Sequence, residues 1–262
     1  MFPGPSRVAA PLSRREFLHS PYPQRLKSGA IPPYPRIMDS ISELIDFDIR
    51  HSMFRNATRF VDYELVPGDI FEFGTYTGRS LALLAHYHQV NRKSIHHIDF
   101  TRRVAGFDSF EGLPSGDDHP RWKSGMFAVN HSFHPICKQG DPVTPAVIRQ
   151  LFEKYELPAP EIEAGWFSNI LPGLIGTKYT AAAIVHIDCD LYESTLDVLN
   201  GIAPILQEGT ILLFDDWFNF RGSRHKGEQR AFYEFMAGQS EWTYTPYQTY
   251  ATFGNSFIIA KP

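Results

Sequence analysis

The sequence predicts an α/β fold: a mostly parallel, seven-stranded sheet with helices on both faces and an antiparallel hairpin at its C-terminal edge. Three observations predict it. Seven short apolar runs are mostly separated by helical patterns, the alternation that gives parallel strands with covering helices. The last two runs, Thr243–Tyr247 and Ser256–Ala260, are instead joined by a short aromatic link containing Gly254, which makes them a hairpin. The 262 residues, 43% hydrophobic and 21% charged, suffice for a sizeable core and argue against wholesale disorder. No internal repeat is present.

The organised chain is expected to start near Asp39. Residues 1–38 hold eight of the 20 prolines and six basic residues against one acid, Glu16. They are read as an irregular arm, with 39–262 as one domain. Arg14-Arg15 in Ser13–Leu18 resembles a twin-arginine export signal, but the following His19–Arg25 is polar and proline-broken rather than apolar. Ser40 and Glu43 have capping-box spacing, and Ile41, Leu44, Ile45, Ile49 and Met53 continue a helical segment over 39–66 until Pro67-Gly68. Asp69–Phe73 is the first strand. It runs into the turn Gly74, Thr75, Tyr76, Thr77, Gly78 and a helix over Ser80–His88. Val104–Phe107 is the second strand, closed by Asp108. Residues 109–143 read as a long loop, with a lid or binding insertion at about 112–143. Thr144 caps a helix with Pro145 in its first turn and Val147, Ile148, Leu151, Phe152 and Tyr155 on one face. Strands follow at Glu161–Ala164, Ala183–Ile187 and Thr210–Phe214, with helices over Tyr192–Ala203 and Glu228–Met236.

In such sheets ligands bind beyond the carboxyl ends of the strands, so what stands there is informative. The first strand ends in Glu72, Gly74 and Gly78; the second in Asp108-Ser109; the third in Trp166-Phe167; the fourth in Asp188-Cys189-Asp190; the fifth in Asp215-Asp216. The glycine turn is not GxGxxG, because Tyr76 stands in the middle position, and a plain strand-to-helix turn is the alternative. Asp108 is placed to accept from a ribose hydroxyl pair, and with Glu72 and the glycines it points to a nucleoside-bearing cofactor. Capping is the alternative for Asp108. Four aspartates at two strand ends exceed what capping needs. Unpaired they would raise each other's pKa, and a divalent cation resolves that, with Mg²⁺ favoured by all-oxygen ligands and Mn²⁺ or Ca²⁺ as alternatives. His119, His131 and His134 are read as surface histidines of the loop and His186 as a core histidine. Arg221, Arg224, His225 and Lys226 form a basic cluster, either solvated or contacting an anionic substrate. A formal charge of −4 disfavours a general nucleic-acid surface, and no apolar run is long enough to cross a membrane. Two cysteines without CxxC spacing, Cys137 and Cys189, fit a reducing, cytoplasmic setting.

Five segments, in order, resemble the macrocin O-methyltransferase (TylF) family. They are Gly68–Ser80 (GDIFEFGTYTGRS), Ala105–Pro114 (AGFDSFEGLP), Glu163–Pro172 (EAGWFSNILP), His186–Thr195 (HIDCDLYEST) and Phe214–Trp217 (FDDW). The resemblance implies a Rossmann-like class I methyltransferase fold using S-adenosyl-L-methionine and Mg²⁺. It implies Asp188, Asp215 and Asp216 as metal ligands and Asp190 as general base. Glu72, Gly74, Thr75, Tyr76, Gly78 and Ser80 would hold the methionine end of the cofactor. Asp108 and Ser109 would take the ribose, and Trp166 or Phe167 would border the adenine. The expected reaction is Mg²⁺-assisted O-methylation of a hydroxyl, a vicinal diol by preference, on a sugar or small-molecule natural product. Rival readings are a metal-dependent glycosyltransferase using Asp188-x-Asp190, a phosphatase with Asp188 as nucleophile, and a non-catalytic nucleoside-binding protein. A homo-oligomer is compatible with the sequence.

Overall fold

The structure is a computed structural model that describes residues 40–95, 100–115 and 122–262. The predicted arm and His119 lie outside the described residues. Seven strands form one sheet in the order β3-β2-β1-β4-β5-β7-β6. They are β1 (Asp69–Phe73), β2 (Val104–Asp108), β3 (Glu161–Ala164), β4 (Ala182–Ile187), β5 (Ile211–Phe214), β6 (Thr243–Tyr250) and β7 (Gly254–Ala260). The first five are parallel, and β7 runs antiparallel to both β5 and β6. This is the Rossmann-like arrangement of class I methyltransferases, with the order reversing between β1 and β4.

Why these residues form a buried parallel sheet is visible in their alternation. Ile70, Ile184, Ile211 and Leu213 face one way and join a core with Leu44, Phe54, Leu81, Leu84, Ile148 and Leu151. Phe71, Phe73, Val185, Ile187, Leu212 and Phe214 face the other way and join Leu171, Val198, Leu199 and Phe232. Successive strand residues point to opposite faces, so a sheet covered on both sides needs apolar residues at nearly every position. β1, β4 and β5 are buried throughout, whereas the edge strands β3 and β6 are not.

The helices are α1 (Ile41–Phe47), α2 (His51–Tyr63), α3 (Arg79–Ser94), α4 (Pro145–Lys154), α5 (Phe167–Leu174), α6 (Tyr192–Ile202), α7 (Asn219–Gly222) and α8 (Gly227–Ala237). Ser40 and Glu43 form the full capping box at the start of α1. The segment 39–66 is two helices rather than one. Asp48 turns the chain between them, its carboxylate accepting the Arg50 backbone N–H at 2.9 Å, a local side-chain bond that competes with helix. Thr144 sits at the start of α4 without a side-chain cap bond, and Pro145 supplies the preset first turn. α5 is a helix that the sequence reading did not anticipate, and Pro172 lies inside it. α7 is one turn whose Phe220 and Arg221 adopt φ 55° and 61°, left-handed backbone rather than helix. Among the described residues, 109–143 contain no helix or strand beyond an isolated bridge between Val129 and Pro142.

Register fixes the site. Phe73 pairs with Phe107 on one side and Ile187 on the other, and Ile187 pairs with Phe214. Four strands therefore end level, and the next residues stand in a row: Asp108, Gly74, Asp188 and Asp215.

Candidate functional site

A cavity of about 540 Å³ opens at this row, a volume suited to a cofactor-sized ligand. Of the predicted site residues it is lined by Gly74, Tyr76, Asp108, Ser109, Trp166, Phe167, Asp188, Asp190 and Asp216. Trp122 and Phe127 of the long loop line it too. Glu72, Thr75, Gly78, Ser80 and Asp215 do not.

Four of these exclusions have a local physical reason. Glu72 is fully buried and turned into the sheet, where its Oε1 lies 2.8 Å from His186 Nδ1. Thr75 is buried beneath the turn, its hydroxyl donating to the Glu72 carbonyl at 3.3 Å. Gly78 adopts φ 82° at the start of α3, and a Cβ there would lie 2.7 Å from Ile148, so this glycine admits α4. Ser80 is buried in the first turn of α3. Gly74 does line the cavity, but its necessity is internal. With φ 87°, a Cβ would meet the Asp188 carbonyl oxygen at 1.9 Å, so only glycine lets β1 and β4 end side by side.

Asp108 ties two strand ends together. One oxygen accepts the Tyr76 N–H and the other the Phe110 N–H, both at 2.8 Å. Burial raises its pKa, against the pull of those two bonds. Each carboxylate oxygen retains a second lone pair, so Asp108 can still accept from a ligand in the cavity. Tyr76, at φ 49°, reaches the long loop: its hydroxyl donates to the Val129 carbonyl at 3.1 Å and accepts the His131 N–H at 2.6 Å. His134, expected at the surface, is buried. Its Nδ1 accepts the Cys137 N–H at 3.1 Å, and burial with Arg79 nearby drops its pKa to about 4, so it shapes the loop as a neutral ring.

The four aspartates gather as the level strand ends dictate. Arg50 Nη1 bridges Asp188 Oδ2 at 2.9 Å and Asp215 Oδ2 at 3.1 Å. Asp216 interacts with the Asp190 carboxyl, accepts from the Asn219 amide, and donates its backbone N–H to Glu228 Oε2 at 3.0 Å. Asp190 adopts φ 63°, left-handed backbone that costs a non-glycine residue about 1–3 kcal/mol and concentrates at functional sites. Burial, then the neighbouring acids, pushes Asp188, Asp216 and Glu228 well above the carboxylate range. Asp215 goes the other way. Burial would raise it, but Arg50 and His186 hold it down to about 2. His186 is a core histidine as expected, yet not a neutral one. Burial opposes its charge, but the carboxylates of Asp215, 3.7 Å from Nε2, and Glu72, 2.8 Å from Nδ1, outweigh this and push it up to about 10.

His186, Asp188 and Asp215 could bring one donor atom each within 4.8 Å of one another. An imidazolium has no lone pair to give, however, and His186 is better described as the cation that orients Asp215. Of the three predicted ligands, Asp188 and Asp215 belong to this group and Asp216 does not, and Asp215 Oδ1 and Glu228 Oε1 are buried without a hydrogen-bond partner. Hard oxygen donors with excess negative charge fit a small dication.

Arg50, Asp48 and Glu228 escaped the sequence reading. Arg50 and Asp48 sit in a helix connection remote in sequence from every strand end, and Glu228 looked like a first-turn helix acid. The basic cluster Arg221, Arg224, His225, Lys226 is exposed and lines no part of the cavity. Both cysteines are buried and unpaired by disulfide, and among the described residues no helix is long and apolar enough to cross a membrane.

Comparison with known proteins agrees with this geometry. A curated relative from Streptomyces olivaceus is 34% identical over 157 residues, covering 58% of this chain and 54% of its own length. It is named 8-demethyl-8-(2,3-dimethoxy-alpha-L-rhamnosyl)-tetracenomycin-C 4'-O-methyltransferase. Mycinamicin III 3''-O-methyltransferase from Micromonospora griseorubida is 29% identical, covering 58% of this chain and 56% of its own. The chain thus spans about half the length of the curated relatives it matches. The solved structure of the O-methyltransferase NovP shares the fold with TM-score 0.59 at 24% identity, covering 81% of this chain and 80% of its own. The model of the Macrocin-O-methyltransferase (TylF) family matches residues 47–235, and the chain belongs to that family.

Proposed function

We propose that this protein is an S-adenosylmethionine-dependent O-methyltransferase whose acceptor is a small-molecule hydroxyl, and that a divalent cation, Mg²⁺ by preference, assists it. The observation that carries the reading is the level row of strand ends. It sets a ribose-competent acid, Asp108, and a carboxylate cluster on opposite sides of one cavity.

When bound, S-adenosylmethionine would supply an electrophilic methyl group and the dication would lower the pKa of an acceptor hydroxyl. The chain's own residues do the rest. Asp108 receives hydroxyls of the nucleoside, and Ser109 lies beside it. Trp166, Phe167, Trp122 and Phe127 give the cavity an aromatic wall suited to a flat base. Glu72 acts at one remove, by keeping His186 charged and so Asp215 ionised. Asp188, Asp215 and Asp216 would hold the dication, and Asp190, aimed by its left-handed backbone, would take the proton from the acceptor. Two neighbouring hydroxyls presented to such a site would be fixed in orientation, which lowers the entropic barrier. The name of one relative puts its acceptor on a rhamnosyl-bearing compound, which supports a sugar hydroxyl as acceptor.

Isothermal titration of the protein with S-adenosylmethionine, with Mg²⁺ and then with EDTA, tests the reading. Cofactor binding together with chelator-sensitive methyl transfer to a sugar diol is expected. Absence of cofactor binding would return the site to a non-catalytic role.

A further inference from the structure

We propose that Arg50 is the built-in counter-ion of the dication position. Its guanidinium holds Asp188 and Asp215 together in the metal-free protein and gives up their oxygens when a dication binds. This rests on the reading of the carboxylate cluster as a cation site and adds a positioning residue to it.

One nitrogen of Arg50 contacts both carboxylates, at 2.9 and 3.1 Å. A dication bound by the same two oxygens would sit about 2.0–2.6 Å from each, in the space Nη1 occupies. The guanidinium is a planar fork of five donors that cannot be deprotonated, so only displacement clears that space. The far side of the fork is held independently. Asp48 Oδ1 accepts from Nε at 3.0 Å and Oδ2 from Nη2 at 2.9 Å, a bidentate pair. Asp48 and Arg50 are separated by one residue in the connection between α1 and α2, so the pair is a local unit. When Nη1 lets go, Arg50 keeps a charged partner and is not left as an uncompensated buried cation. Arg50 and Asp48 are mostly buried, with side chains 16% and 7% exposed. Water therefore offers little competition for either pair.

Displacement also has somewhere to register. Phe47, next to Asp48, lies under the Arg79 guanidinium at 5.3 Å. Arg79 Nη1 donates to the Phe133 carbonyl of the long loop at 3.2 Å. The connection that carries Arg50 is thus packed against Arg79, one of the residues that hold the long loop.

The test is Mn²⁺ binding to the full chain, read from the electron paramagnetic resonance of free Mn²⁺, without any turnover. Arg50→Met removes the competing charge and should tighten Mn²⁺ binding at least tenfold. Arg50→Lys restores a cation and should return affinity toward that of the unaltered protein, which a merely structural role would not do. Asp48→Asn takes away the partner on which Arg50 falls back and should weaken Mn²⁺ binding several-fold. It also keeps the test decisive if Arg50→Met does not fold. Equal or weaker binding by a folded Arg50→Met, or unchanged binding by Asp48→Asn, overturns the role of Arg50 and leaves the cation site standing. No Mn²⁺ bound by the unaltered protein or any variant overturns both.

Discussion

Asp190 and Asp108 show how single residues divide the chemistry. Asp190 faces the cavity on strained backbone beside Asp216. Asp190→Asn preserves shape but removes the proton acceptor. Turnover should fall about 10²–10⁴-fold while S-adenosylmethionine and Mg²⁺ affinities, measured by titration calorimetry, stay within a few-fold. A rate unchanged in this variant would move the base elsewhere. Asp108 has two duties, bracing Tyr76 and Phe110 and facing the cavity. Asp108→Ala should therefore weaken cofactor binding by about 1.5–3 kcal/mol. An unchanged dissociation constant would leave Asp108 with the bracing role only.

Elements set how much could be read in advance. Parallel strands were legible because burial on both faces demands runs such as Ile184-Val185-His186-Ile187, and several of the acids that follow those runs, Asp108, Asp188, Asp190 and Asp216, line the cavity. What escaped is what depends on helices meeting across the fold. Asp62, His88, Asn91 and Arg102 form a buried polar network linking α2, α3 and the approach to β2, yet no local pattern pairs them. Arg50 is invisible for the same reason: its partners are 138 and 165 residues away. α5 was missed for a different one. Proline disfavours helix interiors through a lost N–H and a clash with the preceding turn, but α5 is only eight residues and Pro172 has just two helical residues after it, so little helix is disrupted. The long loop was legible as a loop but not its anchor. The Tyr76 hydroxyl, on the β1–α3 turn, bonds to Val129 and His131. Tyr76→Phe should release that stretch at a cost of about 1–2 kcal/mol. Limited proteolysis should then cut within 127–137 faster than in the unaltered protein, with the rest of the digestion pattern the same.

At the scale of the whole molecule, the carboxylate cluster makes stability depend on both pH and metal. Without a dication, burial and mutual repulsion hold Asp188, Asp216 and Glu228 above their ordinary values of 3.8, 3.8 and 4.5. The native state then keeps protons that the unfolded chain has released, so their contribution falls as pH rises from those values through the raised ones. Asp215 has the opposite sign. Its pKa is held at about 2, so its contribution is present above 3.8 and is lost as pH falls through about 2. His186, pushed up to about 10, contributes fully below 6.5 and loses that contribution as pH rises through about 10. The metal-free site is therefore weakest on the alkaline side. A dication must displace protons at acid pH but meets bare carboxylates at alkaline pH. At roughly a hundredfold excess over its dissociation constant it adds about 2.7 kcal/mol. For a chain of this size that is roughly 5–10 °C in melting temperature. Scanning calorimetry in EDTA and in Mg²⁺ should therefore show a gap that is small near pH 5 and approaches this size near pH 8. No gap at either pH would mean that protons and the internal cations Arg50 and His186 neutralise the cluster without a metal, and a gap of constant size would mean that metal binding displaces no protons between pH 5 and 8.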